Sequence, residues 1–316
     1  MRASIARRCG VLACVSMLGM AAAADAGNRL QVLQTASSSC NFYGGGSNIA
    51  VSPDGAHVYE VDVAIHVSSR NAVTGELTLV ETTYSPDVYS GSYDVHVSPD
   101  GKHVYVVGYA GMAIYDRDAG TGFLALQGIT PIPGTEHWGS FEISPDGRHL
   151  YVRGDDAIAV LARDATTGAL TGVDHFTVAA ASRIALSPDG AHLYLSTGAV
   201  ASEVRTYARD AGTGLLTFVG STPFSMVRYG GDLAVSGDGA NVYLAAGFVS
   251  YYGGVVSFAR DAGTGLLTEI DADTSADPAL AALLRERFPE TRRVDAAGLG
   301  YDEAKMKAAR EARGDY

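Results

Sequence analysis

One phrase stands five times in this chain. It reads SPDGAHVY from Ser52, SPDGKHVY from Ser98, SPDGRHLY from Ser144, SPDGAHLY from Ser187 and SGDGANVY from Ser236. Successive copies lie 46, 46, 43 and 49 residues apart. A second phrase follows each: AVTGELT from Ala72, DAGTGFL from Asp118, DATTGALT from Asp164, and DAGTGLLT from Asp210 and again from Asp261. A tandem period in the mid-forties restricts the chain to stacked supersecondary units. Each unit buries its faces only against its neighbours.

Within a unit the periodicity is two, the signature of strands. In the second unit, alternating runs cover Tyr93–Val97, His103–Val107, Met112–Tyr115 and Phe123–Gly128. The phrases between them are turn chemistry. Proline presets φ, aspartate bonds back to the backbone, and glycine takes positive φ. Four short strands joined by tight turns make one antiparallel blade. The reading is an all-β propeller of four-stranded antiparallel blades, with units at 47–81, 93–128, 139–173, 182–219 and 231–270.

Two flanks do not fit the repeat. Arg29–Thr35 resembles an isolated fourth strand. From Asp277, a capping aspartate followed by Pro278, the chain reads as a short helical tail with a second helix over Asp302–Arg313. Three arrangements remain open: a closed five-bladed ring, a shortened form of a larger ring, or a tail that covers an exposed sheet edge.

The first 26 residues read as a signal peptide: Arg2, Arg7 and Arg8, an apolar run from Cys9 to Met20, then Ala24-Asp25-Ala26. The domains are therefore 1–26 signal peptide, 27–276 propeller and 277–316 tail, and the expected location is secreted or periplasmic. No later apolar run is long enough for a membrane span. Cys40 alone would remain of the three cysteines, which gives no internal disulfide and no cysteine metal site. The full chain carries net −12, and the whole excess of acid falls in the repeats. Nucleic acid is a poor partner for such a surface.

The segment SPDGKHVYVVG with AIYDRDAGTGFLALQG resembles the blade repeat of the lactonase-like, YVTN-type β-propellers, across roughly 28–270. The resemblance implies a ring that usually has seven blades. It also implies, for the true lactonases, a Pro-His pair entering the innermost strand. None of the five entries here has that pair, so the resemblance assigns no catalytic residue.

Two sets of residues are candidates for ligand binding. Four residues before each repeated serine stand Asn48, Asp94, Ser140, Arg183 and Asp232. Polar groups at the start of each innermost strand would gather at the mouth of a central channel, as ligand contacts or as the wall of a water-filled tunnel. Two residues further, His96 and Glu142 occupy a slot that is otherwise alanine (Ala50, Ala185, Ala234). They read as an acid–base pair or as a hydrogen-bonded core pair. The second set is the aromatic residues of the variable loops: Tyr43, Trp138 beside His137, Phe224 and Tyr229. Variable loops on a uniform scaffold are where binding concentrates. His57, His103, His149 and His192 fill one repeat slot and read as structural.

G-x-S-x-G, H-E-x-x-H, Walker and C-x-x-C motifs are absent. Asp271, Asp273, Ser275 and Asp277 imitate the start of a calcium loop. The turn glycine and closing glutamate are missing, so no metal and no cofactor is expected. The expected function is a scaffold that binds a small molecule, glycan or protein through its variable face. The alternative is a lactonase-like hydrolase at the channel mouth, with Asp94, Asp232, His96 or Glu142 as acid–base groups and Arg183 holding an oxyanion.

Overall fold

A computed structural model describes residues 48–61, 64–83, 92–108, 110–132, 138–154, 156–197, 203–224, 229–247 and 253–273. Side chains at 92–93, 138, 229–231, 246–247, 253 and 271–273 lie outside that description. The chain divides into two compact units, Met1–Ala272 and Asp273–Tyr316. All the described strands belong to the first, the last of them ending at the boundary. Arg29–Thr35, the signal segment and the tail helices fall outside the described residues.

Each repeat folds into one antiparallel four-stranded sheet whose strands follow chain order. The first blade is β1 (Asn48–Val51), β2 (His57–Val61), β3 (Ile65–Arg70) and β4 (Leu77–Thr83). The second is β5 (Ser92–Val97), β6 (His103–Gly108), β7 (Gly111–Arg117) and β8 (Leu124–Thr130). The third is β9 (Trp138–Ile143), β10 (His149–Gly154), β11 (Ala157–Arg163) and β12 (Leu170–Thr177). The fourth is β13 (Ala181–Leu186), β14 (His192–Thr197), β15 (Glu203–Arg209) and β16 (Leu216–Pro223). The fifth is β17 (Tyr229–Val235), β18 (Asn241–Gly247), β19 (Gly253–Arg260) and β20 (Leu267–Asp273). This last blade takes all four strands from one stretch of chain, so it does not need Arg29–Thr35 to complete it.

The repeated phrases behave as turn chemistry requires. Gly55 N–H donates to the Ser52 carbonyl at 2.8 Å with φ +67, and the Ser52 hydroxyl accepts from His57 N–H at 3.0 Å. In the second phrase the Asp118 carboxylate accepts from the backbone N–H groups of Gly120 and Thr121. The pairing of third with fourth strand slips at the same place in four blades, between Val67/Ser68, Ile114/Tyr115, Val160/Leu161 and Thr206/Tyr207. Such bulges increase local twist.

The core lies between blades. In the second strand of each unit, tyrosine and its same-face neighbours point to the following blade, and the alternate valine or leucine points back. Tyr59, Val61, Ile65 and Val67 thus meet Val95, Val104, Val106 and Tyr115. Equivalent apolar clusters join blades two and three, three and four, and four and five. The innermost strands β1, β5, β9, β13 and β17 lie side by side in that order. Among the described residues β17 does not pack beside β1 in the same way.

Each of these four interfaces is also pinned at its rim. Arg117, on the second blade, donates through Nε to the Tyr59 hydroxyl at 2.7 Å and through Nη2 to Asp54 at 2.8 Å and His57 Nδ1 at 3.0 Å, all on the first. The Tyr59 hydroxyl donates to the Gly122 carbonyl at 3.0 Å. The His57 ring occupies the space a Cβ on Gly122 would need, and Gly122 has φ +80. The same corner recurs with Arg163 on Tyr105, Asp100 and His103. It recurs with Arg209 on Tyr151, Asp146 and His149, and with Arg260 on Tyr194, Asp189 and His192. Thus the repeated histidines are structural, and each sits between an arginine and a glycine of the next blade.

Candidate functional site

The residues that differ from blade to blade cluster on the innermost strands. Alternation places Asp94 and His96 on the side of β5 that faces the third blade. Ser140 and Glu142 share the side of β9 that faces the fourth. Val95, Phe141, Ile184 and Leu233 point the other way and are buried, which fixes the orientation of the polar set.

Asp94 joins two blades. Its Oδ1 accepts from Val95 N–H at 2.9 Å, and its Oδ2 accepts from Phe141 N–H on β9 at 3.1 Å. That same Oδ2 lies 3.5 Å from His96 Nε2. The imidazole stands edge-on to the Phe141 ring with centroids 4.6 Å apart. Burial disfavours the charged imidazole. The Asp94 carboxylate, with Glu142 adding its field, outweighs that and holds the His96 pKa up at about 9. Burial pushes the Glu142 carboxyl up to about 7. The His96 cation opposes this rise, while Asp94 and Asp232 add to it. The expected His96–Glu142 hydrogen bond is therefore replaced by a His96–Asp94 contact, with Glu142 coupled through its field. The strand geometry explains the change: Asp94 and His96 share one strand face, whereas Glu142 turns toward the following blade.

The other inner-strand residues contribute less to this cluster. Ser140 is half-buried, and its hydroxyl has no hydrogen-bond partner among the described residues. Among the described residues Arg183 receives no carboxylate. Its Nη1 donates to the Ser182 carbonyl at 3.2 Å, and its backbone N–H donates to the Ser196 hydroxyl at 3.2 Å. Asp232 is exposed and accepts from Leu233 N–H at 3.1 Å. Asn48 lies half-buried on β1, opposite Val61. Sequence reading had not singled out Arg153, which stands opposite Ser140 and lies across Gly139, where any Cβ would collide with its guanidinium. Arginine in a slot that elsewhere holds Val61, Val107, Ser196 or Ala245 was the available signal.

The variable-face set is less fully placed. Tyr43 and His137 lie outside the described residues. Trp138 and Tyr229 are placed by backbone only, opposite Gly154 and Gly247. Phe224 is a correction. It is 7% exposed and belongs to the core between the fourth and fifth blades. Among the described residues no group of three or more His, Cys, Asp and Glu side chains could hold a metal ion. No helix among them is long and apolar enough to cross a membrane.

Comparison with known proteins places this geometry in a family. Residues 44–182 and 172–283 match the family model described as lactonase, 7-bladed β-propeller. The chain belongs to the lactonase family of seven-bladed β-propellers. Among solved structures, a putative 6-phosphogluconolactonase from Bacteroides fragilis is similar at TM-score 0.55 and 22% identity, over 69% of this chain and 67% of that one. The periplasmic gluconolactonase PpgL of Pseudomonas aeruginosa is similar at TM-score 0.59 and 20% identity, over 71% and 69%. A Lactobacillus plantarum protein reaches TM-score 0.61 and 23% identity, over 71% and 70%. A search of curated protein sequences returned no significant match. At these identities the structural likeness establishes the fold. The lactonase-family ring has seven blades by its description, and the described residues supply five.

Proposed function

We propose that this lactonase-family propeller acts outside the cytoplasm and hydrolyses a small lactone at the inner-strand cluster, with Glu142 as general base and His96 as the cationic partner. The observation that carries the reading is the cluster of Asp94, His96 and Glu142 on the adjacent inner strands β5 and β9, with Asp94 bonded across the blades and 3.5 Å from His96. Burial and the mutual charges hold the Glu142 carboxyl near 7 and the His96 imidazole near 9. A base is most effective when its pKa lies close to the working pH. Between the two values Glu142 is ionised and His96 is charged. Glu142 would take a proton from water as the oxygen attacks the lactone carbonyl. The His96 imidazolium would stabilise the resulting oxyanion, then protonate the ring oxygen as the C–O bond breaks. Asp94 would hold His96 in place. The polar residues Asn48, Ser140, Arg183 and Asp232 are proposed as ligand contacts around it, and Tyr43, His137, Trp138 and Tyr229 as contacts on the loop face. The names of the solved relatives and the basic-then-apolar N-terminus support the substrate class and the location.

The test is hydrolysis of a panel of sugar and aliphatic lactones across pH. Activity is expected in a bell that rises through about 7 and falls through about 9. Glu142→Gln is expected to lower kcat by about a hundredfold or more with the fold retained. Folded protein inactive on every lactone would reject hydrolysis, leaving the scaffold that binds through its variable loops.

A further inference from the structure

Among the described residues the blade stack ends in two matching halves of one corner. At one end, β3 finishes on Arg70, which holds the same place as Arg117, Arg163, Arg209 and Arg260. Its Nη1 donates to the Gly55 carbonyl of its own blade at 3.1 Å, as Arg117 does to Gly101 at 2.9 Å and Arg163 to Gly147 at 3.0 Å. The guanidinium is therefore set in the working orientation. Among the described residues it reaches no carboxylate, imidazole or tyrosine.

At the other end, the fifth blade carries the receiving corner with no arginine in it. Asp238, Asn241 and Tyr243 stand where the other blades have aspartate, histidine and tyrosine. Asparagine retains an acceptor: its Nδ2 donates to the Phe258 carbonyl at 3.2 Å, leaving Oδ1 free to accept as Nδ1 does elsewhere. The four filled tyrosines Tyr59, Tyr105, Tyr151 and Tyr194 are 0% exposed, whereas Tyr243 is 40% exposed. Val255 beside it is 46% exposed, although its counterpart Ile65 is fully buried. Both halves are made, Arg70 is half-buried and Tyr243 exposed, and four copies of the completed joint already exist in the same chain.

We propose that the protein associates head to tail, with Arg70 of one copy entering the Asp238–Asn241–Tyr243 corner of a second copy. The contact repeats the four interfaces seen within the chain, with the same donor and acceptor geometry. It pairs a guanidinium with a carboxylate, and it covers Tyr243 and Val255. A heterologous contact of this kind extends into short chains unless its rotation closes. The first-blade face is more polar than the interior ones. Glu60, His66 and Ser68 take positions that hold Val106, Ala113 and Tyr115 in the second blade. The joint is therefore weaker than an internal one and sensitive to salt.

Sedimentation and light scattering across a wide concentration range test this with the full chain. The wild type is expected to associate with concentration and to dissociate as salt rises. Arg70→Ala and, separately, Tyr243→Phe or Asp238→Lys should each weaken self-association by roughly thirtyfold or more. Mixing Arg70→Ala with Asp238→Lys should restore a one-to-one pair that cannot extend, because each supplies the half the other lacks. Tyr243→Phe keeps the turn intact if Asp238→Lys disturbs it, and circular dichroism checks the fold. A wild type that stays monomeric overturns the proposal, as does association that survives both end variants. Monomers in which Arg70→Ala and Tyr243→Phe lower Tm by the same, non-additive amount would instead indicate closure within one chain, which also overturns it.

Discussion

Histidine and aspartate meet in two regions of this protein, with opposite results. At the rim, His103 and Asp100 share the Arg163 guanidinium; at the inner strands, His96 lies against Asp94. Burial and the Arg163 charge both push the His103 pKa down. The imidazole is neutral, so Nδ1 accepts from the guanidinium and Nε2 carries the proton. The Asp100 carboxyl, which burial alone would raise, is held at about 2 by the Ser98 hydroxyl and Arg163. Among the described residues no arginine reaches Asp94, and His96 itself carries the positive charge there. The same two residue types make a fixed joint where a third charge is present and a titrating group where it is missing.

The largest effect should come from removing that third charge. Arg163→Ala strips the joint between the second and third blades and leaves Asp100 without its cation. The Asp100 carboxylate is part-exposed and regains water, but the bonds to Tyr105 and His103 go as well, so the loss should be about 2 kcal/mol. At Arg70, which occupies the same slot with no partner blade among the described residues, alanine should cost less than about 0.5 kcal/mol in dilute solution. Urea unfolding of the two variants measures the difference. Equal losses would mean that the apolar faces, and not the corners, hold the blades.

The contrast also explains what could be read from residues alone. Turn phrases such as Ser98-Pro99-Asp100-Gly101 declare themselves locally, because φ preference and side-chain bonding act within a few residues. That is why the strands, blades and connection order were legible. The corner was not. An arginine such as Arg163 stands just before the second phrase of each unit, and a tyrosine follows the first, with a histidine in four units of five, as Tyr105 with His103, but only packing tells that they meet across a blade boundary. For the same reason His96 and Glu142 were found as outliers in an alanine slot, and strand alternation puts Asp94 on the same face as His96, while the bond from Phe141 N–H to Asp94 required the packing of β5 beside β9.

An intermediate effect concerns pH, where the two regions should act on opposite limbs. Asp100, Asp146 and Asp189 are each held at about 2 in the fold, against about 3.9 in an unfolded chain. Their contribution is fully present above about 4 and is lost as pH falls through about 2. His96, raised to about 9 from 6.5, contributes stability that is complete below 6.5 and is lost as pH rises through about 9. Glu142 works in the same sense: holding its carboxyl near 7 penalises the ionised form, so stability declines from about 4.5 to 7. Asp94→Asn should drop the His96 pKa below neutrality, followed by NMR of the ring protons, and should flatten the limb near 9. The acid limb should not move. A shift of the acid limb in Asp94→Asn would show that the two regions are coupled.

The smallest effect lies in the link that returns the chain from the third blade's outer strand to the innermost strand β13. Ala180 has φ +57, the one positive value outside glycine among the described residues. The conformation is held from the β10–β11 turn, where the Asp156 carbonyl accepts from Val178 N–H at 2.8 Å and the Asp156 carboxylate accepts from Ala180 N–H at 3.3 Å. A left-handed alanine costs about 1 kcal/mol or more. Glycine removes that cost but gains freedom in the unfolded chain worth about 0.4–1 kcal/mol. Ala180→Gly should therefore raise Tm by no more than about 2 °C, with the pH limbs unchanged. Ala180→Val, whose branched side chain disfavours positive φ, should lower it instead. If both substitutions lower Tm, the methyl group of Ala180 contributes packing that outweighs its backbone strain, and the link is a stabilising part of the inner-strand region.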